Sequence, residues 1–352
     1  TAKAPSLRHL QGTMQPDWLI SRLAGSHDAA PNHRQMPDFD LNRSQAEAIT
    51  AYLWSQSKSL SLKSKQPVKP PKNKSKKKGA KPRTKPEVKA GQQLLMTTGC
   101  LACHQVGELG TANLFGGGSL NQVAEKRTDD FFAAWLEAPQ RINSQHRMPA
   151  FELTPLERLD LAEYLKTLHA TGAEAPAREK EFTAEQVEQG KSLVQKFRCT
   201  SCHETSQEIV PARVTGTLLS SKANWEGACS DSEQVTATQP RYRLSSADQA
   251  AVQEFVGALA KPNPGKQSKS LDAVQMLREQ NCLACHARYK QPGIASQLPD
   301  VAAAHTSLAS LVPAMTPPSL NSVGDKLHDE AIKKVIQREG PVHRPWLHVR
   351  MP

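Results

Sequence analysis

The chain has 352 residues, with 45 Lys and Arg against 34 Asp and Glu, and seven Cys. Apolar residues make up 38% and aromatic residues only 5%. That is too little for large self-sufficient cores, so the length is expected to divide into small domains that a cofactor helps to fill. No apolar run approaches the ~18 residues that a membrane span needs, and the scarcity of β-branched and aromatic alternation predicts an all-α chain.

Residues 1–58 carry a Met36-Pro37 pair and a helix predicted over 44–56. Their opening, SLRHLQGTMQPDWLISRL at 6–23, is a weaker copy of SLNQVAEKRTDDFFAAWL at 119–136, which SLNSVGDKLHDEAIKKVI at 319–336 parallels more closely. The formal charge of +11 belongs to one stretch: residues 58–89 hold 13 basic residues and one acid, while the remainder holds 32 basic and 33 acidic. Rich in Lys, Pro and Ser, residues 59–89 read as a basic disordered linker. The plain reading is a solvated spacer; the sharper one is a tether that touches an anionic surface through 58–89. The rest of the chain carries no basic face or aromatic platform, so no nucleic-acid partner is expected.

Six of the seven cysteines fall into three identical patterns: Cys100-Leu101-Ala102-Cys103-His104, Cys199-Thr200-Ser201-Cys202-His203 and Cys282-Leu283-Ala284-Cys285-His286. C-x-x-C-H is the attachment signature of c-type haem. Two thiols at this spacing add across the two vinyl groups of one porphyrin, and the adjacent imidazole ligates the iron. Zinc would want four ligands at paired spacings, and a redox C-x-x-C would want a βαβ setting that is absent. A helical segment precedes each motif, with Gly91 and Gly190 nine residues ahead of their first Cys and Ala273 in that place in the third. A second repeat follows: MPDFDL at 36–41, MPAFEL at 148–153 and QPRYRL at 239–244 precede helices predicted at 44–56, 155–169 and 246–260. Tyr52, Tyr164 and Phe255 each lie sixteen residues after the aligned Met or Gln.

This order resembles the class I cytochrome c family, and more specifically the multihaem cytochrome c regions of large exported planctomycete-type proteins, whose last unit ends much like Arg344-Pro345-Trp346 through Arg350-Met351-Pro352. The resemblance implies an all-α chain of tandem class I cytochrome c-like domains joined by linkers, carrying three covalently bound haem c groups. Residues 1–58 would be a partial haemless unit, and 90–172, 182–262 and 268–352 the units of haems 1, 2 and 3, the last truncated. His104 and Met148 would bracket the first iron, and His286 and Met351 the third; His146 and His348 lie close enough to keep bis-His coordination open. Arg34, Arg147 and Arg350 recur near these methionines, as solvated surface or as partners of haem propionates.

The second haem departs from this pattern. Residues 183–262 contain no Met, their only His is His203, and Gln239 stands where Met148 is expected. The odd cysteine, Cys229, is one candidate, as a thiolate on the iron. An iron left five-coordinate, or capped by water, Gln239, Tyr242 or Lys222, is another; a ligand from another unit or chain is the third. Covalent haem attachment in the family takes place after export, so a periplasmic or extracellular location follows. The leading function is electron relay between a donor and an acceptor redox protein, with other domains or copies of the same protein as further partners. The alternative is a haem enzyme, peroxidase-like or sulfur-oxidising, with haem 2 as its open or thiolate-ligated site. No hydrolase triad, phosphate loop or nucleotide fold is seen.

Overall fold

The structure, a computed structural model, describes residues 4–25, 36–58, 60–62, 83–144, 146–170, 180–207, 242, 244–259, 269–339 and 346–351. Lys222, Cys229, Gln239 and most of the basic linker lie outside the described residues. Within them the expected all-α character holds; the exception is a two-residue hairpin in which β1 (Gln105–Val106) pairs antiparallel with β2 (Leu109–Gly110). The principal helices are α1 (Pro16–Leu23), α2 (Arg43–Ser55), α3 (Val88–Thr97), α4 (Asp129–Glu137), α5 (Pro155–Leu165), α6 (Ala184–Lys196), α7 (Ser246–Leu259), α8 (Lys269–Glu279), α9 (Leu298–Ala304) and α10 (Asp329–Ile336).

The first core is built on the crossing of α3 and α5. Thr154 and Glu157 form a reciprocal capping box ahead of α5, with Pro155 at its first position. At the crossing a methyl group on Gly91 would overlap the carbonyl of Asp160 and the Cβ of Tyr164, so only glycine lets the backbones approach this closely. Asp160 is 1% exposed and holds the crossing from below. It accepts both guanidinium nitrogens of Arg83 at 2.6 Å and the backbone N–H of Glu87 at 2.8 Å. Arg83 and the first turn of α3 thus belong to this body, although the sequence places them in the linker. Leu95, Met96, Phe131, Phe132, Leu161 and Tyr164 fill the core. Leu298, Val301, Leu308 and Met315, from the 269–339 segment, belong to the same core.

The second core joins parts of the chain that the sequence reading kept apart. Helix α6 packs along α2. Gly190 stands against the carbonyl of Ala48 and the Cβ of Tyr52, as Gly91 stands against Asp160 and Tyr164. Leu10, Leu19, Leu41, Ile49, Tyr52, Leu53, Val194 and Phe197 form the cluster. Lys180, just ahead of α6, reaches Asp17 at 3.0 Å and Glu47 at 3.7 Å. The division into a separate 1–58 and a self-contained 182–262 is therefore corrected. The expected closing helix, α7, has Val256 as its buried apolar residue and leaves Phe255 63% exposed, whereas α2 buries its apolar face on α6. Residues 83–170 are consequently an insertion between the two parts of the second core.

The C-terminal segment lies across both the first body and the 269–339 segment. The N–H of His348 donates to the Ala314 carbonyl at 2.8 Å and that of Arg350 to the Thr98 carbonyl at 3.1 Å. The Arg350 guanidinium forks onto Glu157 at 3.0 and 2.6 Å.

The crossing predicts its own failure. Gly190→Ala should lower the stability of the second core by about 1–3 kcal/mol, because neither backbone can retreat without opening the helix pair. Thermal unfolding of haem-loaded protein measures this, with Gly257→Ala, where a methyl would meet nothing within 4 Å, as the control expected not to destabilise. Gly190→Ala protein that melts at the wild-type temperature would contradict the crossing.

Candidate haem-attachment sites

The three C-x-x-C-H sequences fold into the same single turn. Each follows a residue in left-handed conformation, Gly99 (φ 112°), Arg198 (φ 58°) and Asn281 (φ 56°). The reversal at that residue ends the approach helix. The histidine N–H then donates to the carbonyl of the first cysteine at 3.0 Å in all three motifs. This closes the turn and sets the two thiols and the imidazole in a fixed relation.

Each imidazole is oriented in the same way. His104 Nδ1 meets the Gly118 carbonyl at 2.9 Å, His203 Nδ1 the Pro5 carbonyl at 2.8 Å and His286 Nδ1 the Pro318 carbonyl at 2.7 Å. A nitrogen facing a carbonyl must carry the proton, which leaves Nε2 with the lone pair that a metal takes. Burial lowers the pKa of His104, outweighing the hydrogen bond to Gly118 that raises it, and so favours the neutral, ligating form. Each of these carbonyls stands one residue before a Ser-Leu copy. The leucine N–H of that copy returns a bond to the residue after the histidine: Leu120 to Gln105 (2.9 Å), Leu7 to Glu204 (2.8 Å) and Leu320 to Ala287 (2.9 Å).

The first and third motifs open into one cavity of about 3380 Å³, lined by Cys100, Cys103, His104, Cys282, Cys285 and His286 and faced by Met148 and Met351. Small-molecule sites are commonly ~300–1,000 Å³, so this space admits more than one large group. Its walls carry apolar side chains that remain exposed in the chain alone: Met276 at 63%, Val335 at 41% and Ile336 at 62%. A porphyrin would cover them, and on this test the residues present fit the group. The two motifs stand side by side, since a methyl on Gly99 would lie 4.0 Å from Cys285 Sγ. Burial, and then the neighbouring Cys103 and Cys100, push the Cys285 thiol up to about 12; burial does the same for Cys100 (about 12) and Cys199 (about 11). Folded, these buried thiols resist ionisation.

Met148 is held by its neighbours. The Trp135 indole N–H donates to Met148 Sδ at 2.8 Å, and His146 Nδ1 contacts the Met148 carbonyl at 2.8 Å. His146 therefore orients the methionine loop and stands with its ring edge against Trp135. Cations line the same cavity. Burial, reinforced by Arg127 and Arg22, lowers Lys126 to about 7, and burial lowers Arg127 to about 10. Half-buried, with Lys126 over the Trp18 ring and Arg127 over the Phe131 ring and bonded to the Thr13 carbonyl, these cations would also suit carboxylates such as haem propionates.

A porphyrin that takes two thiols on its vinyls and an imidazole on its iron is the group these turns suit, which makes them candidate attachment sites for covalent haem. Residues 88–169 match the family described as Cytochrome c, and the match supports a haem-binding, electron-transfer role for that stretch. No curated protein and no solved structure matches the chain.

The sequence reading missed Trp135, the three orienting carbonyls and the Arg350–Glu157 fork. The carbonyls were within reach, because three Ser-Leu copies accompany three histidine motifs. Arg350, expected as surface or as a propionate partner, instead fastens the C-terminal segment to the cap of α5. Burial pushes Glu157 up, but the bonds from Arg350 and Thr154 outweigh it and its pKa is lowered. A depressed carboxylate contributes stability that is full above its ordinary 4.5 and is lost as pH falls through the lowered pKa. Hydrogen exchange of residues 346–351 should accordingly rise on acidification below the usual carboxylate range, and Glu157→Gln should show the raised exchange already at neutral pH. Protection unchanged in Glu157→Gln would remove this fork as the anchor.

Proposed function

We propose that the chain is an exported trihaem c-type cytochrome that relays electrons between a donor and an acceptor redox protein. The observation that carries the reading is the shared cavity, in which two attachment turns and two methionines meet. Cys100 and Cys103, Cys199 and Cys202, and Cys282 and Cys285 would hold the three haems by thioether bonds, with His104, His203 and His286 as proximal ligands. Met148 and Met351 would complete the first and third irons. A thioether is a neutral, soft donor that raises the reduction potential. The chain contributes orientation, burial and the apolar walls, while the haem supplies the electron-accepting iron.

The body of the first motif would be the middle of the relay. It shares a core with the 269–339 segment, and it touches the second core through Gln15 N–H to the Lys126 carbonyl at 3.0 Å and Thr128 Oγ1 to the Gly12 carbonyl at 2.7 Å. Among the described residues no helix is long and apolar enough to cross a membrane; a periplasmic or extracellular site is part of the proposal, with the basic 58–89 stretch as a contact to an anionic surface.

Protein matured with an export pathway should contain three haems per chain by alkaline pyridine spectroscopy, with all six motif cysteines alkylated by haem in mass spectrometry. A count of one would overturn the relay.

A further inference from the structure

We infer that residues 4–58 are the distal half of the second haem unit, and that Met36 is the sixth ligand of the iron held by His203. The inference rests on the trihaem reading above and deepens it, because it assigns a ligand that residues 183–262 do not contain.

The two haem units are equivalent in position. In the first body four contacts fix where Met148 stands relative to His104. The crossing glycine of the approach helix meets Asp160 and Tyr164; the imidazole meets the carbonyl ahead of a Ser-Leu copy; that copy's leucine binds back past the histidine; and a capping box starts the closing helix six residues after the methionine. The second core repeats all four with residues from the N-terminal segment. Gly190 meets Ala48 and Tyr52. His203 meets Pro5, and Leu7 meets Glu204. Asn42 forms its capping box with Gln45 six residues after Met36, as Thr154 does with Glu157 six residues after Met148. Tyr52 and Tyr164 each follow the methionine by sixteen residues.

Two further contacts bring the Met36 loop to the second motif. Phe39, three residues on, places its ring 5.5 Å edge-on from Phe197, two residues before Cys199. Cys199 itself packs on the cluster of Leu10, Ile49, Tyr52 and Val194. Met36 is half-buried, and its neutral thioether suits an iron whose other axial donor is a neutral imidazole. The order of the halves is reversed: the methionine half precedes the attachment half in the chain, with residues 83–170 between them.

The test uses full-length, haem-loaded protein and the variants Met36→Ala, Met36→His and Cys229→Ala. In the ferrous wild type, proton spectra should show three sets of ring-current-shifted methionine ligand resonances, and CO should leave all haem bands unmoved. Met36→Ala should lose one set and let CO shift about one third of the haem absorbance. Met36→His should keep that iron closed to CO and lower the midpoint potential of one haem, which protects the test if the alanine variant folds poorly. Three haems per chain with a Met36→Ala spectrum identical to wild type would overturn the assignment and leave the trihaem reading standing; so would loss of a ligand in Cys229→Ala instead. A wild type in which one third of the haem already binds CO would also overturn it. Two haems per chain, with Cys199 and Cys202 unmodified, would overturn both.

Discussion

Where α3 crosses α5 and α6 crosses α2, a single hydrogen atom fills the space between the backbones. Gly91 and Gly190 allow that approach, and their neighbours Tyr164 and Tyr52 pack on the same turn. The crossing sets the angle at which each approach helix arrives at its left-handed reversal, at Gly99 in one case and Arg198 in the other. The reversal sets the direction of the two thiols. The imidazole is turned by a carbonyl from the Ser-Leu segment, Gly118 for His104 and Pro5 for His203. The third motif makes the same turn with Ala273 in the glycine's place, so the turn itself is local and the crossing about nine residues upstream sets how it is presented to the rest of the body.

The apolar surface is arranged around a group the chain does not supply. Leu95, Phe131, Phe132 and Leu161 are buried and yet line the cavity, while Met276, Val335 and Ile336 line it and remain exposed. Each large apolar side chain left in water forgoes roughly 1.5–3 kcal/mol of burial. A small helical body with little aromatic content has few other sources of stability. A group that covered those side chains would gain that burial and would let the bodies be so small. Lys126 and Arg127 are tolerated in the same wall because Lys126 lies over the Trp18 ring, and Arg127 lies over the Phe131 ring and donates to the Thr13 carbonyl.

The sequence was most legible where chemistry and local geometry coincide. The C-x-x-C-H turns, the helical approach segments, the crossing glycines and the helices after Met36, Met148 and Gln239 all follow from short-range patterns, and the structure places helices there. What short-range patterns do not carry is the partner of each helix. α2 and α7 both follow a capping residue, and both carry an aromatic at the same offset, Tyr52 and Phe255, so local pattern alone pairs α6 with the nearer one. The information that separates them is further off: the Ser-Leu copy at 6–23 has a closing helix but no cysteine motif of its own, and the 199–203 motif has no Ser-Leu copy after it before residue 262. The C-terminal fork was illegible for a related reason, since nothing near Arg350 in sequence points to Glu157.

The choice of α2 over α7 can be weighed. Roughly 130 residues separate α2 from α6, and roughly 50 separate α6 from α7. Closing the longer loop costs only about 0.9 kcal/mol more, because the entropy grows with the logarithm of length. Against that stands what each helix brings. α2 comes with Leu10, Leu19 and Leu41, which share one cluster with Ile49 and Leu53; α7 has Val256 as the one buried apolar side chain among its described residues. One additional fully buried leucine contributes about 1.5–3 kcal/mol, which already exceeds the entropic difference. A whole folded body can therefore be inserted between the halves of another at little thermodynamic cost. The contacts of Gln15 and Gly12 with residues 126–128 then hold the inserted body against its host. The permuted order follows from packing that outweighs proximity along the chain.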